Sequence, residues 1–227
     1  MQVAVLISGG KDSLYATWCA MHQYEVIAVI GVTVKESLVY HVQKTEILRA
    51  VSECLGIPLI LKVVSHQDDE EKAIEAAIKE SEAEAIITGG LLSDFQRYHF
   101  NKVASRCGIP CFSPLWRKTG ELLMQELLNH RLVVIFTSVS AMGLTRDLIG
   151  RQLDEDILKS LIEMSKQTGL NITGEGGEYE TLVLDAPFYK KRISIEQASV
   201  VWNETAGQGE YVIESVKIVS KVPETRE

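Results

Sequence analysis

No stretch of the 227 residues approaches the roughly 18 uninterrupted apolar positions that a membrane-spanning helix needs. The chain begins Met1-Gln2 and runs at once into apolar residues. It lacks the basic segment, apolar core and small-residue cleavage site of a secretory leader. Basic charge is not in excess, since 23 Lys and Arg stand against 31 Asp and Glu, for a net charge of −8. That argues against an extended nucleic-acid-binding face, although a local basic patch is compatible with it. Aromatic residues make up only 7%, and their distribution marks no contact surface for a partner. The four cysteines, Cys19, Cys54, Cys107 and Cys111, form no Cys-x-x-Cys pair. Cys107 and Cys111 flank Gly-Ile-Pro, with no second Cys/His pair at ligand spacing, so a zinc site is not expected. Cys19 and Cys54 fall among apolar helical residues and read as buried thiols. Fixed-period repeats and low-complexity tracts are also missing. These absences together lead us to expect a cytoplasmic protein with reduced thiols and no membrane contact. What is present, 46% hydrophobic and 24% charged residues, suffices for one large domain with a smaller appendage.

Residues 1–140 alternate between two periods. Short apolar runs at 3–7, 25–34, 58–64, 84–90 and 132–139 read as strands, and 109–116 as a strand leading into a loop. Between them, 12–23, 41–55, 68–81, 95–108 and 121–130 carry apolar residues at helical spacing, with stops such as Gly56 and Pro58. Such alternation predicts right-handed βαβ crossovers and a parallel sheet covered on both faces. Ligands of such sheets lie at the carboxyl ends of the strands, near a topological switch point. Two glycine-bearing turns, after Ile7 and after Thr88, fall at such ends. After about residue 140 the pattern changes to a helix over 154–169, followed by β-rich runs at 192–202 and 211–220. The expected class is therefore α/β, a doubly wound parallel sheet over residues 1–140 with a smaller mixed α+β lobe over 141–227.

Two stretches stand out. Ser8-Gly9-Gly10-Lys11-Asp12-Ser13 joins the first strand to the first helix. Glycine there permits positive φ and close approach of backbone to a ligand, and the helix offers its free N–H groups. Phosphate is the natural guest. The spacing is neither that of the Walker loop nor that of the dinucleotide fingerprint, whose third glycine is missing. The plain alternative is a glycine turn capped by Asp12 or Ser13. The second stretch, GEGGEYETLVLDAP over 174–187, gathers Glu175, Glu178 and Glu180 around two glycines and a tyrosine. Clustered carboxylates repel one another. Either they point outward into solvent, or they hold a cation, an ammonium group or a substrate amine.

The first stretch resembles the S-G-G-x-D-S loop of the PP-loop ATP pyrophosphatases. With EGGEYET it resembles the diphthine–ammonia ligase (diphthamide synthase) family within that group, in its short archaeal form. GGLLSDFQR (89–97) and SAMGLTRDLIGRQLDED (140–156) are similar to further segments of that family. The resemblance implies an adenine-nucleotide α-hydrolase-like fold. It also implies amidation of diphthine on translation elongation factor 2, through an acyl-adenylate attacked by ammonia, with release of AMP and pyrophosphate. ATP is then a substrate and Mg²⁺ its companion. Ser8, Gly9, Gly10, Lys11, Asp12 and Ser13 would hold the phosphates, with Asp12 as the carboxylate nearest the metal. Val32 and Thr33, at the end of the second strand, would border the adenine, and Gly89, Gly90 and Arg97 would complete the nucleotide side. Glu175, Glu178 and Glu180 join Asp12 as the expected catalytic carboxylates. Gly176, Gly177, Tyr179, Thr181, Asp94 and Gln96 would face the acceptor, with Tyr179 giving its trimethylammonium a cation–π contact. The departures are His99 and Asn101, where the family often carries Arg and Glu. Partners are elongation factor 2 and ammonia, with no nucleic acid and no membrane, and a homodimer is compatible. The alternatives are a tRNA-modifying or small-molecule-amidating PP-loop enzyme, and a nucleotide-binding module without turnover.

Overall fold

A computed structural model of the chain describes residues 1–34 and 41–221. Five parallel strands form the first sheet: β1 (Gln2–Leu6), β2 (Glu25–Val34), β3 (Leu59–Val64), β4 (Ala85–Ile87) and β5 (Cys111–Phe112). Their order is β3-β2-β1-β4-β5, so the chain reverses direction across the sheet between β1 and β4. The two glycine-bearing turns follow these two neighbouring strands and lie side by side at the switch point.

Five helices connect and flank the strands: α1 (Lys11–Met21), α2 (His41–Leu55), α3 (Glu70–Ser81), α4 (Asp94–Arg106) and α5 (Gly120–Asn129). The strand period of two divides the core. Ala4 faces one side with Ile74, Ala77 and Ile78 of α3 and Val103 and Ala104 of α4. Val3 and Val5 face the other with Leu14 of α1, Val51 of α2 and Leu123 of α5. Burying each Val, Leu or Ile side chain among these contributes about 1.5–3 kcal/mol.

In the run 109–116, expected to be a strand leading into a loop, the strand is two residues long. Pro110 and Pro114 flank it, and proline can donate nothing to a ladder. The predicted strand at 132–139 forms as β6 (Val133–Val139) but pairs elsewhere, in an antiparallel sheet with β7 (Tyr179–Asp185), β8 (Lys191–Asn203) and β9 (Gln208–Ser220), ordered β7-β6-β9-β8. Helix α6 (Glu155–Thr168) packs beside it, capped by Asp154, whose carboxylate accepts from the Ile157 amide at 2.8 Å, and ended by Gly169 at φ 77°.

The second sheet shares its core with the first. Phe136, Val134 and Val183 belong to the same apolar cluster as Val3 and Leu14. A backbone hydrogen bond from the Val183 amide to the Gly9 carbonyl, at 3.0 Å, ties β7 to the turn after β1. The two unusual stretches of sequence are therefore brought together by the fold.

Candidate active site

The turn after β1 is set by its backbone. Gly9 sits at φ +86°, a region that disfavours any side chain, and a Cβ there would press on Ile47 and Leu182. Gly10 is the extended N-cap of α1 and supplies no side-chain cap. The first-turn amides of α1 lack intrahelical partners and point outward from the helix end. The Ser8 and Ser13 hydroxyls lie 3.2 Å apart, and Ser13 Oγ also accepts from the Ser8 amide at 3.2 Å. Gly10 N–H donates to Ser8 Oγ at 3.3 Å. Ser13 Oγ in turn donates to the Gly10 carbonyl at 3.1 Å, so the two serines brace the loop, and the Asp12 and Ser13 amides at the start of α1 are its row of unspent donors among the described residues.

Gly89, from the turn after β4, packs directly on this loop. A Cβ at Gly89 would lie 2.7 Å from the Ser13 nitrogen and 2.8 Å from the Asp12 carbonyl carbon. Gly90, its neighbour, has nothing nearer than Thr88 Oγ1 at 3.8 Å. The first glycine is there for close approach; the second has room.

The second lobe closes the other side. Lys11 donates its amide to Thr181 Oγ1 at 3.2 Å. The residue is only 3% exposed, and its side chain runs into the second lobe. There the ammonium donates to the Thr173 carbonyl and pairs with Asp12 Oδ2 at 2.7 Å, above the Tyr179 ring at 5.6 Å. The other oxygen of Asp12, Oδ1, is buried without a hydrogen-bond partner.

The three glutamates have three different surroundings. Glu178 folds back on its own turn, accepting from the Asn171 amide at 3.1 Å and the Gly176 amide at 2.8 Å. Glu180 is exposed, and its amide donates to Ser138 Oγ at 3.1 Å. Glu175 is half-buried and reaches towards the first lobe. Burial, then the negative charge of Asp12, raise its pKa above the ordinary carboxylate range; Lys11 and the backbone amides of Leu91 and Leu92 pull the other way. Tyr179 is core rather than surface. It is 3% exposed, stacks edge-on against Phe136 at 5.0 Å, and donates its hydroxyl to the Ile172 carbonyl. Burial pushes its pKa well up.

A cavity of 530 Å³ opens between these elements. Its wall carries Ser8, Gly10, Lys11, Asp12, Ser13, Val32, Thr33, Gly89, Gly90 and Gln96 from the first lobe. Glu175, Gly177, Tyr179, Glu180 and Thr181 face them from the second. Gly9, Asp94, Arg97, Gly176 and Glu178 are not part of the wall. The apolar part of the wall comes from Ile30, Val32, Leu48, Ile74 and Phe100, and Thr33 Oγ1 is buried without a partner. Sequence reasoning missed Leu48, Glu70, Ile74 and Phe100. Ile74 and Phe100 read in sequence as ordinary inward residues of amphipathic helices, and only the packing of α3 against β2 and of α4 against α3 turns them towards the cavity.

The two departures on α4 are occupied structurally. His99 Nδ1 lies 3.3 Å from Glu71 Oε1, inside a cluster in which Arg106 and then Lys102 hold the Glu71 carboxyl below its ordinary range. Asn101 donates to the Arg97 carbonyl at 2.8 Å. The first ties α4 to α3, and the second is a bond within α4 itself. Cys19 is half-buried rather than buried, and Cys54 is buried as expected. Burial raises all four thiols, Cys54 and Cys111 to about 11. A reactive cysteine needs the opposite shift. No described helix is long and apolar enough to cross a membrane.

Mg²⁺ can be tested against this geometry. No three His, Cys, Asp or Glu residues cluster to hold a metal among the described residues. The buried, unpartnered Asp12 Oδ1 beside the donor row is a single hard oxygen ligand. That fits Mg²⁺, which takes one or two carboxylates and relies on phosphate oxygens for the rest.

Comparison with known proteins follows the same two halves. Residues 1–111 match the family model described as the diphthamide synthase N-terminal domain. Residues 119–219 match the diphthamide synthase C-terminal domain. A protein of Bos taurus named diphthine–ammonia ligase is 30% identical over 228 residues, covering 88% of this chain and 85% of the relative. One of the same name from Schizosaccharomyces pombe is 33% identical over 225 residues, covering 88% of this chain and 37% of its own greater length. Among solved structures, a chain described as a predicted subunit of tRNA methyltransferase from Methanocaldococcus jannaschii aligns at TM-score 0.46 and 16% identity, over 82% of this chain and 98% of that one. With each half matched by its own model, and a relative at 30% identity aligned across most of both sequences, this chain belongs to the diphthamide synthase family.

Proposed function

We propose that the chain is an ATP-dependent diphthine–ammonia ligase that amidates diphthine on elongation factor 2 in two steps at the one cavity. In the first, an oxygen of the diphthine carboxylate attacks the α-phosphorus of ATP; the bond to the β-phosphate bridging oxygen breaks, and pyrophosphate leaves. In the second, ammonia attacks the acyl carbon of the adenylate, AMP leaves with the electron pair of the broken C–O bond, and the amide remains. A free carboxylate is a poor acyl donor because oxide is a poor leaving group, and adenylation replaces it with a good one.

The amides of the 8–13 loop and the hydroxyls of Ser8 and Ser13 hold the pyrophosphate portion. Lys11 acts indirectly. Its ammonium is bound to Asp12 and Thr173, so it fixes the glutamate loop against the phosphate loop. Thr33 Oγ1 and the apolar part of the wall receive the nucleoside. Mg²⁺ carried in with the phosphates would be held by Asp12 Oδ1 and would neutralise phosphate charge.

Glu175 is the group best placed to handle ammonia. As a carboxylate it holds ammonium and takes its proton, leaving the nucleophile beside the acyl carbon. Its raised pKa makes it a stronger base than an ordinary carboxylate. Glu180, exposed on the same wall, faces the trimethylammonium of the acceptor; the Tyr179 ring already has Lys11 as its cation. Free ammonia is the nitrogen source, since a glutamine-hydrolysing cysteine requires an activated thiol and these four are shifted the other way.

The observation that carries this reading is the single cavity walled by both signature stretches. It is tested by separating the nucleotides formed with ATP, ammonium and diphthine-bearing elongation factor 2. AMP and pyrophosphate are expected. ADP and orthophosphate as the main products would exclude the adenylation step.

A further inference from the structure

We infer that the outward half of the first two turns of α4, together with the Trp116–Arg117 turn, is the docking surface for the acceptor protein; this rests on the ligase reading above. Phe95 is 78% exposed, Tyr98 71% and Leu92 48%, large apolar side chains left open on the loop and helix that also carry Gln96 and Phe100 of the cavity wall. Scattered exposed apolar residues need no explanation, but here three lie within seven residues of one loop–helix junction.

The patch is continuous with the site. Gln96 and Phe100, on the inner half of the same helix, line the cavity. The Leu91 and Leu92 amides face the Glu175 carboxylate. An acceptor whose reacting carboxylate enters between Glu175 and the phosphate loop brings its own surface over the loop and helix that carry Leu92, Phe95 and Tyr98.

The charge of the patch indicates what rests there. Arg97 lies over the Trp116 ring at 4.6 Å, and Arg117 approaches the same ring at 5.9 Å. Neither guanidinium has a carboxylate partner among the described residues. On a chain of net charge −8, two arginines against one tryptophan make a locally basic spot, in which exposed Asp94 beside Phe95 is the one acid of the 92–98 stretch. Arg117 also holds φ at +58°, a conformation uncommon outside glycine, and its amide donates to the Leu91 carbonyl at 2.8 Å. The turn is thereby fixed to the loop that faces Glu175. Aromatic side chains and arginine are the residue types that dominate protein–protein contacts. The partner surface is accordingly a folded protein with apolar residues flanked by carboxylates around its modified side chain.

The test uses the full chain and diphthine-bearing elongation factor 2, with a Phe95→Ser/Tyr98→Ser double variant and a separate Arg117→Glu variant. These residues are exposed, so the variants should fold. The double variant should raise KM for the factor by about tenfold or more, as expected when aromatic anchors are removed. The Kd for ATP and kcat at saturating factor should stay at wild-type values. Arg117→Glu should slow association and flatten its salt dependence. Unchanged KM in both variants, or a loss of ATP affinity in either, would overturn the proposal. Calorimetric titration of the factor separates it from the ligase reading. If the wild type binds the factor without amidating it and the double variant loses that binding, the surface stands and the reaction falls. A wild type that does not bind the factor overturns the surface.

Discussion

The loop at 8–13 and the loop at 174–181 face one cavity, yet they are built by opposite means. The first takes its shape from backbone: Gly9 in the left-handed region, Gly10 at the helix start, and two serines bonded to each other. The second takes its shape from side chains. Glu178 holds two amides of its own turn, Tyr179 anchors it in the core, and Glu175 reaches across to the first lobe. A backbone-built loop presents donors and suits an anion. A side-chain-built loop has spent some of its charged groups on holding itself together, and only those left over can do chemistry.

Several substitutions would break or sharpen this contrast. The largest effect is expected from Glu175→Gln, which removes the base and keeps the shape. Single-turnover amide formation should fall by about 10²–10⁴-fold, the usual contribution of a general base. Ser13→Ala removes a hydroxyl from the phosphate loop. A hydrogen bond lost to a charged phosphate costs about 1.5–3 kcal/mol, so KM for ATP should rise roughly tenfold to a hundredfold, by initial-rate kinetics.

Gly89→Ala and Gly90→Ala form a matched pair. The first drives a methyl group into the backbone of Asp12 and Ser13 and should lower stability by about 1–3 kcal/mol in denaturant titrations. The second meets open space and should leave stability near wild type. Equal behaviour of the two would show that the phosphate loop is not packed as described. Glu178→Gln turns an NH₂ group towards the Asn171 or Gly176 amide and should cost about 1–3 kcal/mol. Glu180→Gln, exposed, should stay within about 0.5 kcal/mol by the same titration.

The smallest expected effect is a pH dependence. Glu175 has a raised folded pKa, so the folded state keeps its proton when the unfolded state has already lost it. Stability from this group is present below the unfolded carboxylate pKa and is lost as pH rises through the folded one. Glu175→Gln lacks that loss. Its Tm relative to wild type should therefore be higher at pH 7 than at pH 4, by calorimetric scans; no difference would mean that Glu175 is solvated.

The sequence made the first loop legible because its geometry is written in residue type. Glycine at a strand end and hydroxyls at a helix start admit few other structures. It made the strands of the parallel sheet legible for the same local reason. It did not show that β6 leaves that sheet, because pairing partners lie some forty residues and more away and the β5 edge is closed by Pro110 and Pro114. Nor did it separate Glu175, Glu178 and Glu180. Which of the three is left for chemistry depends on where the Leu91, Leu92, Asn171 and Gly176 amides point, and that is a property of the folded chain. Lys11 is the same lesson in one residue. Its neighbours in sequence suggest phosphate, and its burial turns it to Thr173.

The division of labour between the two loops is tested most directly by acceptor-dependent exchange of labelled pyrophosphate into ATP, measured in Glu175→Gln without ammonium. Incorporation of isotopically labelled ammonium into the acceptor is followed on the same preparation. The account predicts that exchange continues at close to the wild-type rate, because the phosphate loop still forms the acyl-adenylate, while label incorporation is lost. Exchange and incorporation lost together in a folded variant, with ATP binding lost as well, would contradict it.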